Sequence, residues 1–267
     1  MTEAAAGPDP VRNEPEVDTI RSPEDTARIY DEILKVGGMR LMANFVEANA
    51  VLSIAGARPQ TELYIDKPTE EDHVRIALLA NIGVSHSLEI QDCGEFDAAS
   101  DGRKTLMVSV TNLESLARAS RTTGIKDFPE YKVASGSEGA RRWAQHASNA
   151  IEKAKERGDL PQDTPAAPFF GGIEKGYPLV AIMDACKSYA RNKRSSDLSE
   201  THILGVDLYG GAYPDFDYAP EHADHPDIVR TVQTWEKVLG DFYGTAWHQA
   251  LAQHPQFREE RAKMEKR

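Results

Sequence analysis

Apolar residues recur at helical spacing through most of the chain. Ile29, Ile33, Leu34 and Val36 form a stripe that follows Ser22-Pro23-Glu24-Asp25. Ser22 there occupies an N-cap position, Pro23 the first helical position, and the two acids suit the positive helix end. Gly37-Gly38 interrupts the stripe and predicts a break or kink. The pattern resumes through Met42, Phe45, Val46 and Val51, and stops near Gly56 and Arg58-Pro59.

The period then changes. TELYID, from Thr61 to Asp66, reads as a short strand. TEEDHVRIALLANIG returns to helical spacing, with Thr69 and Asp72 placed as a capping box and Gly83 as the stop. VSHSLEIQDCGEF and RKTLMVSVTN alternate partially on either side of DAASDGR. Asp101-Gly102 is a turn dipeptide, so these runs predict an antiparallel hairpin. Leu113, Leu116 and Ala117 mark a helix that closes near Gly124.

SEGARRWAQHASNAIEKAKERG is the longest periodic segment, and Gly158 ends it. Residues 159–177 are rich in Pro and Gly and read as a subdomain hinge or an ordered functional loop. Pro178 opens another helix, whose Lys187, Arg191, Lys193 and Arg194 suit its negative end. THILGVDLYG reads as a buried strand near residues 202–209. An acidic loop follows, then two helices through Trp235, Leu239, Trp247 and Leu251, and a charged helical tail from Phe257.

The strands cluster around a hairpin rather than alternating strictly with helices. The fold class is therefore α+β: helix-rich, with a small antiparallel sheet and a further strand near 202–209. Residues 1–21 are rich in Pro, Glu, Asp and Ala with few large apolar groups. They predict a disordered acidic arm ahead of a single globular domain over 22–267.

Charge narrows the partners. The formal net charge is −12, which disfavours non-specific binding to nucleic acid or to an anionic membrane. No apolar run approaches the ~20 residues of a membrane span, and the first residues lack the basic start and apolar core of a secretory signal. Cys93 and Cys186 are the two cysteines and form no C-x-x-C pair. Two lone thiols fit a reducing cytoplasm, and the sequence leaves open whether they bridge.

The densest chemistry lies in YGGAYPDFDYAPEHADHPD, from Tyr209 to Asp227. It holds acids and two imidazoles and no Lys or Arg. Asp207 precedes it at the end of the expected strand, where a carboxylate is held rigidly beside a loop that admits substrate. Carboxylates with imidazoles suit a divalent metal. Asp215, Asp217, His222, Asp224 and His225 are the candidate metal ligands. Asp207, Asp217, His222 and His225 are the candidate ligands or acid–base groups of a metal-assisted hydrolase. There is no H-E-x-x-H and no EF-hand loop. The same residues also suit a plain connector, with Asp224 or His225 capping the last helices and Pro226 in the first turn.

Two glycine-rich turns are candidate anion sites for a small anionic substrate: Arg141 beside Gly136 and Gly139, and Gly171, Gly172 and Lys175 ahead of Pro178. Neither is a P-loop. ASGSEGA invites a serine-hydrolase reading through Ser137, but Ser135 stands where an elbow needs glycine. Ser135 and Glu138 equally form a capping box. The sequence thus predicts a soluble cytoplasmic enzyme. The competing reading is a non-catalytic interaction protein or homo-oligomer.

Overall fold

The computed structural model describes residues 20–98, 103–131, 136–190, 199–200 and 216–264. Its first helix, α1 (Pro23–Glu47), begins as expected, with the Ser22 hydroxyl accepting from the Asp25 N–H at 3.0 Å. The helix passes through Gly37-Gly38 with a kink, and Gly38 adopts φ 71°, a region that glycine enters without steric cost. The short helix α2 (Val51–Ala55) ends at Gly56, also left-handed.

Next come β1 (Gln60–Asp66), α3 (Glu70–Ser85), β2 (Leu88–Ala98) and β3 (Arg103–Asn112). Thr69 and Asp72 form the expected capping box. Gly83 does not stop α3, which runs on to Ser85. A Cβ at Gly83 would lie 2.7 Å from the Leu88 carbonyl oxygen. This glycine lets the helix end approach the next strand. Arg75 of α3 reaches the α1 kink, with Nη1 donating to the Gly37 carbonyl at 2.7 Å.

The sheet order is β1-β3-β2, and both pairings are antiparallel. Leu63 opposes Val108 and Ile65 opposes Leu106, while Ile90 opposes Val110. All six side chains are buried on one face, as the period of two requires. The hairpin is present, with a bulge between Asp92 and Gly94. Its tip, Asp101-Gly102, lies outside the described residues.

The larger core lies between that face and helices from both ends of the chain. The C-terminal helices are α8 (Pro226–Tyr243), α9 (Ala246–Gln253) and α10 (Pro255–Met264). Trp235 is fully buried, and its Nε1 donates to the Ala57 carbonyl at 3.3 Å. Tyr243 donates its hydroxyl to Asn49 Oδ1 at 2.6 Å. Each large apolar side chain buried here contributes about 1.5–3 kcal/mol.

A smaller cluster joins α5 (Gly136–Arg157), α6 (Ala166–Glu174) and α7 (Leu179–Ala190) through Ile151, Phe169, Ile173, Ile182 and Cys186. Beside it, α4 (Leu113–Arg121) contributes Leu116 to a third group with Tyr131 and Trp143. The stretch expected to be a hinge or loop therefore contains a packed helix. Phe169 and Ile173, four residues apart, give α6 a buried face that outweighs its two glycines.

β4 (Ser199–Glu200) pairs with β5 (Asp217–Tyr218), so the expected acidic loop holds a short strand. The strand expected near 202–209 lies outside the described residues, as do residues 1–19 of the arm. Arg21, assigned to that arm, is docked: its N–H bonds the Ala55 carbonyl at 2.8 Å, and its guanidinium donates to the carbonyls of Ile54 and His86. Cys93 is exposed, Cys186 is buried, and both are free thiols. Among the described residues, no helix is long and apolar enough to cross a membrane.

Candidate functional site

Asp184 lies on the buried side of α7 and is 4% exposed. A carboxylate so placed needs its oxygens hydrogen-bonded. Asp184 Oδ2 accepts from the Ala219 N–H at 3.0 Å and lies 2.6 Å from His222 Nδ1. Lys187 Nζ, one helical turn on, stands 3.7 Å from Oδ1.

His222 is placed by a short 3₁₀ turn over Pro220–His222, in which its own N–H bonds the Ala219 carbonyl at 2.8 Å. Pro220 fixes the backbone at the start of that turn. Because a carboxylate accepts at Nδ1, the network assigns the Nδ1–H tautomer and leaves Nε2 as the lone-pair nitrogen. The His222 side chain is one-third exposed. It is thus anchored at one nitrogen and reachable from solvent. Such a ring can take a proton, pass it on, or bind a metal ion.

The His225 ring lies 6.3 Å from that of His222, centroid to centroid, at 79°. His225 is also the N-cap of α8, its Nδ1 accepting from the Asp227 N–H at 3.3 Å. The capping role read from the sequence thus falls to His225. Asp217 is half-buried in β5, and Asp224 is exposed. Among the described residues, no group of three or more His, Cys, Asp or Glu side chains is arranged to hold a metal ion. Asp207 and Asp215 lie outside those residues.

The expected anion cradles are differently arranged. Gly171 and Gly172 are inside α6, past its first four residues, so their N–H groups serve the helix rather than a ligand. Gly172 is needed for packing, because a Cβ there would meet Ile182 Cγ1 at 2.6 Å. Lys175 Nζ stands 3.8 Å from Glu62 Oε2. Arg141 is exposed on α5. Ser137 falls in the first turn of that helix, and its side chain lies outside the described residues.

Sequence reasoning passed over Asp184. Its signal was an acid within the apolar run of α7, a helix otherwise built to be buried. It also passed over Glu174, which ends α6 near Glu62. Burial first, and then the neighbouring Glu62, pushes the Glu174 carboxyl up to about 7, with Lys175 opposing. Tyr64 donates its hydroxyl to Glu62 at 3.0 Å. Glu62 and Tyr64 stand on β1, and Glu174 ends α6. The chain matches no known family model, and no curated protein or solved structure matches it.

Proposed function

We propose that this protein is a hydrolase-like enzyme acting on a small-molecule substrate, with His222 as general base and Asp184 as its positioning carboxylate. The observation that carries the reading is the 2.6 Å bond from His222 Nδ1 to a buried carboxylate that a backbone N–H also holds. Nε2 then takes a proton from water or a substrate hydroxyl, and Asp184 steadies the resulting imidazolium. The same geometry suits a divalent ion bound through Nε2, since a carboxylate behind a ligating imidazole fixes its tautomer and raises its basicity. His225 is then the neighbouring imidazole. The free, exposed Cys93 thiol supports a reducing, cytoplasmic setting.

Turnover of p-nitrophenyl acetate and p-nitrophenyl phosphate tests the proposal, with and without added divalent metal. Asp184→Asn and His222→Gln should each lower the rate by about 10²- to 10⁴-fold while thermal unfolding still shows a folded chain. Nitrogen-15 spectra give a readout independent of substrate: the wild type holds His222 as the Nδ1–H tautomer, and Asp184→Asn loses that preference. Equal turnover in all three proteins, or no tautomer preference in the wild type, rules the dyad out.

A second reading, self-association without catalysis, draws on α3. Val74 and Leu78, one turn apart, are 55% and 51% exposed, and Val84 is 80% exposed. Large apolar side chains left in water together favour a protein partner, here a second copy.

A further inference from the structure

His73, in the first turns of α3, meets a carboxylate at each ring nitrogen. Nδ1 lies 2.7 Å from Asp92 Oδ2, and Nε2 lies 3.0 Å from Glu95 Oε1. An ionised carboxylate only accepts, so both nitrogens donate and the ring is an imidazolium. His73 is therefore no general base, unlike His222, whose Nε2 keeps its lone pair. The three side chains are each about one-third exposed, so the ring can exchange its proton with solvent.

Both acids belong to the outer part of β2, on either side of its bulge. Gly94 in the bulge takes φ 98°, and its N–H donates to Asp92 Oδ1 at 2.8 Å. One carboxylate thus grips both the bulge and the ring. Glu95 also meets Lys104 of β3, whose Nζ stands 3.1 Å from Oε2. The other charged groups nearby have partners of their own. On α3, Asp72 bonds Thr69 and pairs with Arg40 of α1, and Arg75 pairs with Glu71 and bonds the Gly37 carbonyl. Glu70 lies one turn before His73. On β2, the Cys93 thiol donates to the Gln91 carbonyl at 3.7 Å, and Asp97 lies farther out, in register with Lys104. The bonds to Asp92 and then Glu95 raise the His73 pKa, with burial opposing. His73 first, and then Lys104, lowers that of Glu95.

We propose that His73 is a pH-dependent latch, which in its protonated form ties the outer half of the β2–β3 hairpin to α3 and on losing its proton releases it. The half in question is residues 94–98 paired with 103–107. Neutral His73 has one N–H for two carboxylates, so one bond becomes a contact between lone pairs. The folded chain favours the imidazolium. The clamp is therefore fully made below the ordinary histidine value of 6.5 and is lost as pH rises through the raised folded value. At the acid end it is lost again when Glu95 takes a proton, below the usual carboxylate range. β2 is an edge strand paired only with β3, so no second strand replaces the tie. The latch does not rest on the Asp184–His222 reading.

Proton–carbon spectra of the full chain between about pH 5 and 10 give the His73 midpoint, with His73→Gln assigning the resonance. The midpoint should lie above 6.5, and Asp92→Asn and Glu95→Gln should each move it down. Hydrogen exchange read by mass spectrometry, corrected for its intrinsic pH dependence, then gives the protection of residues 94–98 and 103–107 about one unit below and above that midpoint. In the wild type protection should fall at least about threefold across the midpoint. His73→Gln should show the lower protection at both pH values. Should that variant fail to fold, Asp92→Asn and Glu95→Gln carry both the assignment and the test, each shrinking the step. A midpoint at or below 6.5 overturns the proposal. So does a midpoint unmoved by either carboxylate change, or a hairpin equally protected on both sides of it.

Discussion

His248 is 2% exposed, and its ring lies 4.7 Å from that of Tyr243 and 5.7 Å from that of Phe242. Burial lowers its pKa from 6.5 to about 4, with a bond to the Tyr243 backbone opposing and Arg261 adding a little. The unfolded chain binds this proton near pH 6.5 and the folded chain only near pH 4. As pH falls through that window, protonation favours the unfolded state. The loss at this one residue amounts to at most about 3 kcal/mol. Glu174 acts in the opposite direction. Its carboxyl holds a proton up to about pH 7 when folded but only to about 4.5 when unfolded, so its contribution is lost as pH rises through that interval. Urea unfolding at pH 4.5 and 7.5 separates the two. His248→Gln should narrow the fall in stability toward acid, and Glu174→Gln should narrow the fall toward neutral pH. Parallel profiles in the wild type and both variants would remove this assignment.

At the scale of elements, the tight contact is α6 on α7. Gly172→Ala should cost about 1–3 kcal/mol by overpacking, because the new methyl meets Ile182. Ile182→Ala opens the space, so the penalty of Gly172→Ala should shrink in that background. Additive penalties in a double-mutant cycle would show the contact to be unimportant. This pair also shows where the sequence was opaque. Ser22, Thr69 and the hairpin runs were legible because caps and alternation are local signals. Gly171-Gly172 read as part of a loop and an anion-binding turn, since nothing local reveals that Ile182 fills the space above one of the glycines. The dyad was half legible for the same reason. His222 stood out in its acidic stretch, but its partner Asp184 is 38 residues away, on a helix that reads as core.

For the molecule as a whole, the exposed α3 side chains are where the self-association reading is tested. Under the self-association reading, Val74→Glu with Leu78→Glu should lower the mass measured by sedimentation to that of one chain, with little change in thermal stability. A wild type that already sediments as a single chain at high concentration would dismiss that reading. The core has a different consequence, one of timing. β3 is the last of the three strands to be synthesised and lies between the other two, so β1 and β2 have no sheet partner until it has left the ribosome. Ala57 must then wait for Trp235, 178 residues later, and Asn49 for Tyr243, 194 residues later. At ordinary elongation rates that delay is roughly 10–40 s. For that interval the apolar faces of α1 and α2 stand without their C-terminal cover, and the nascent chain is then most exposed to chaperones and proteases.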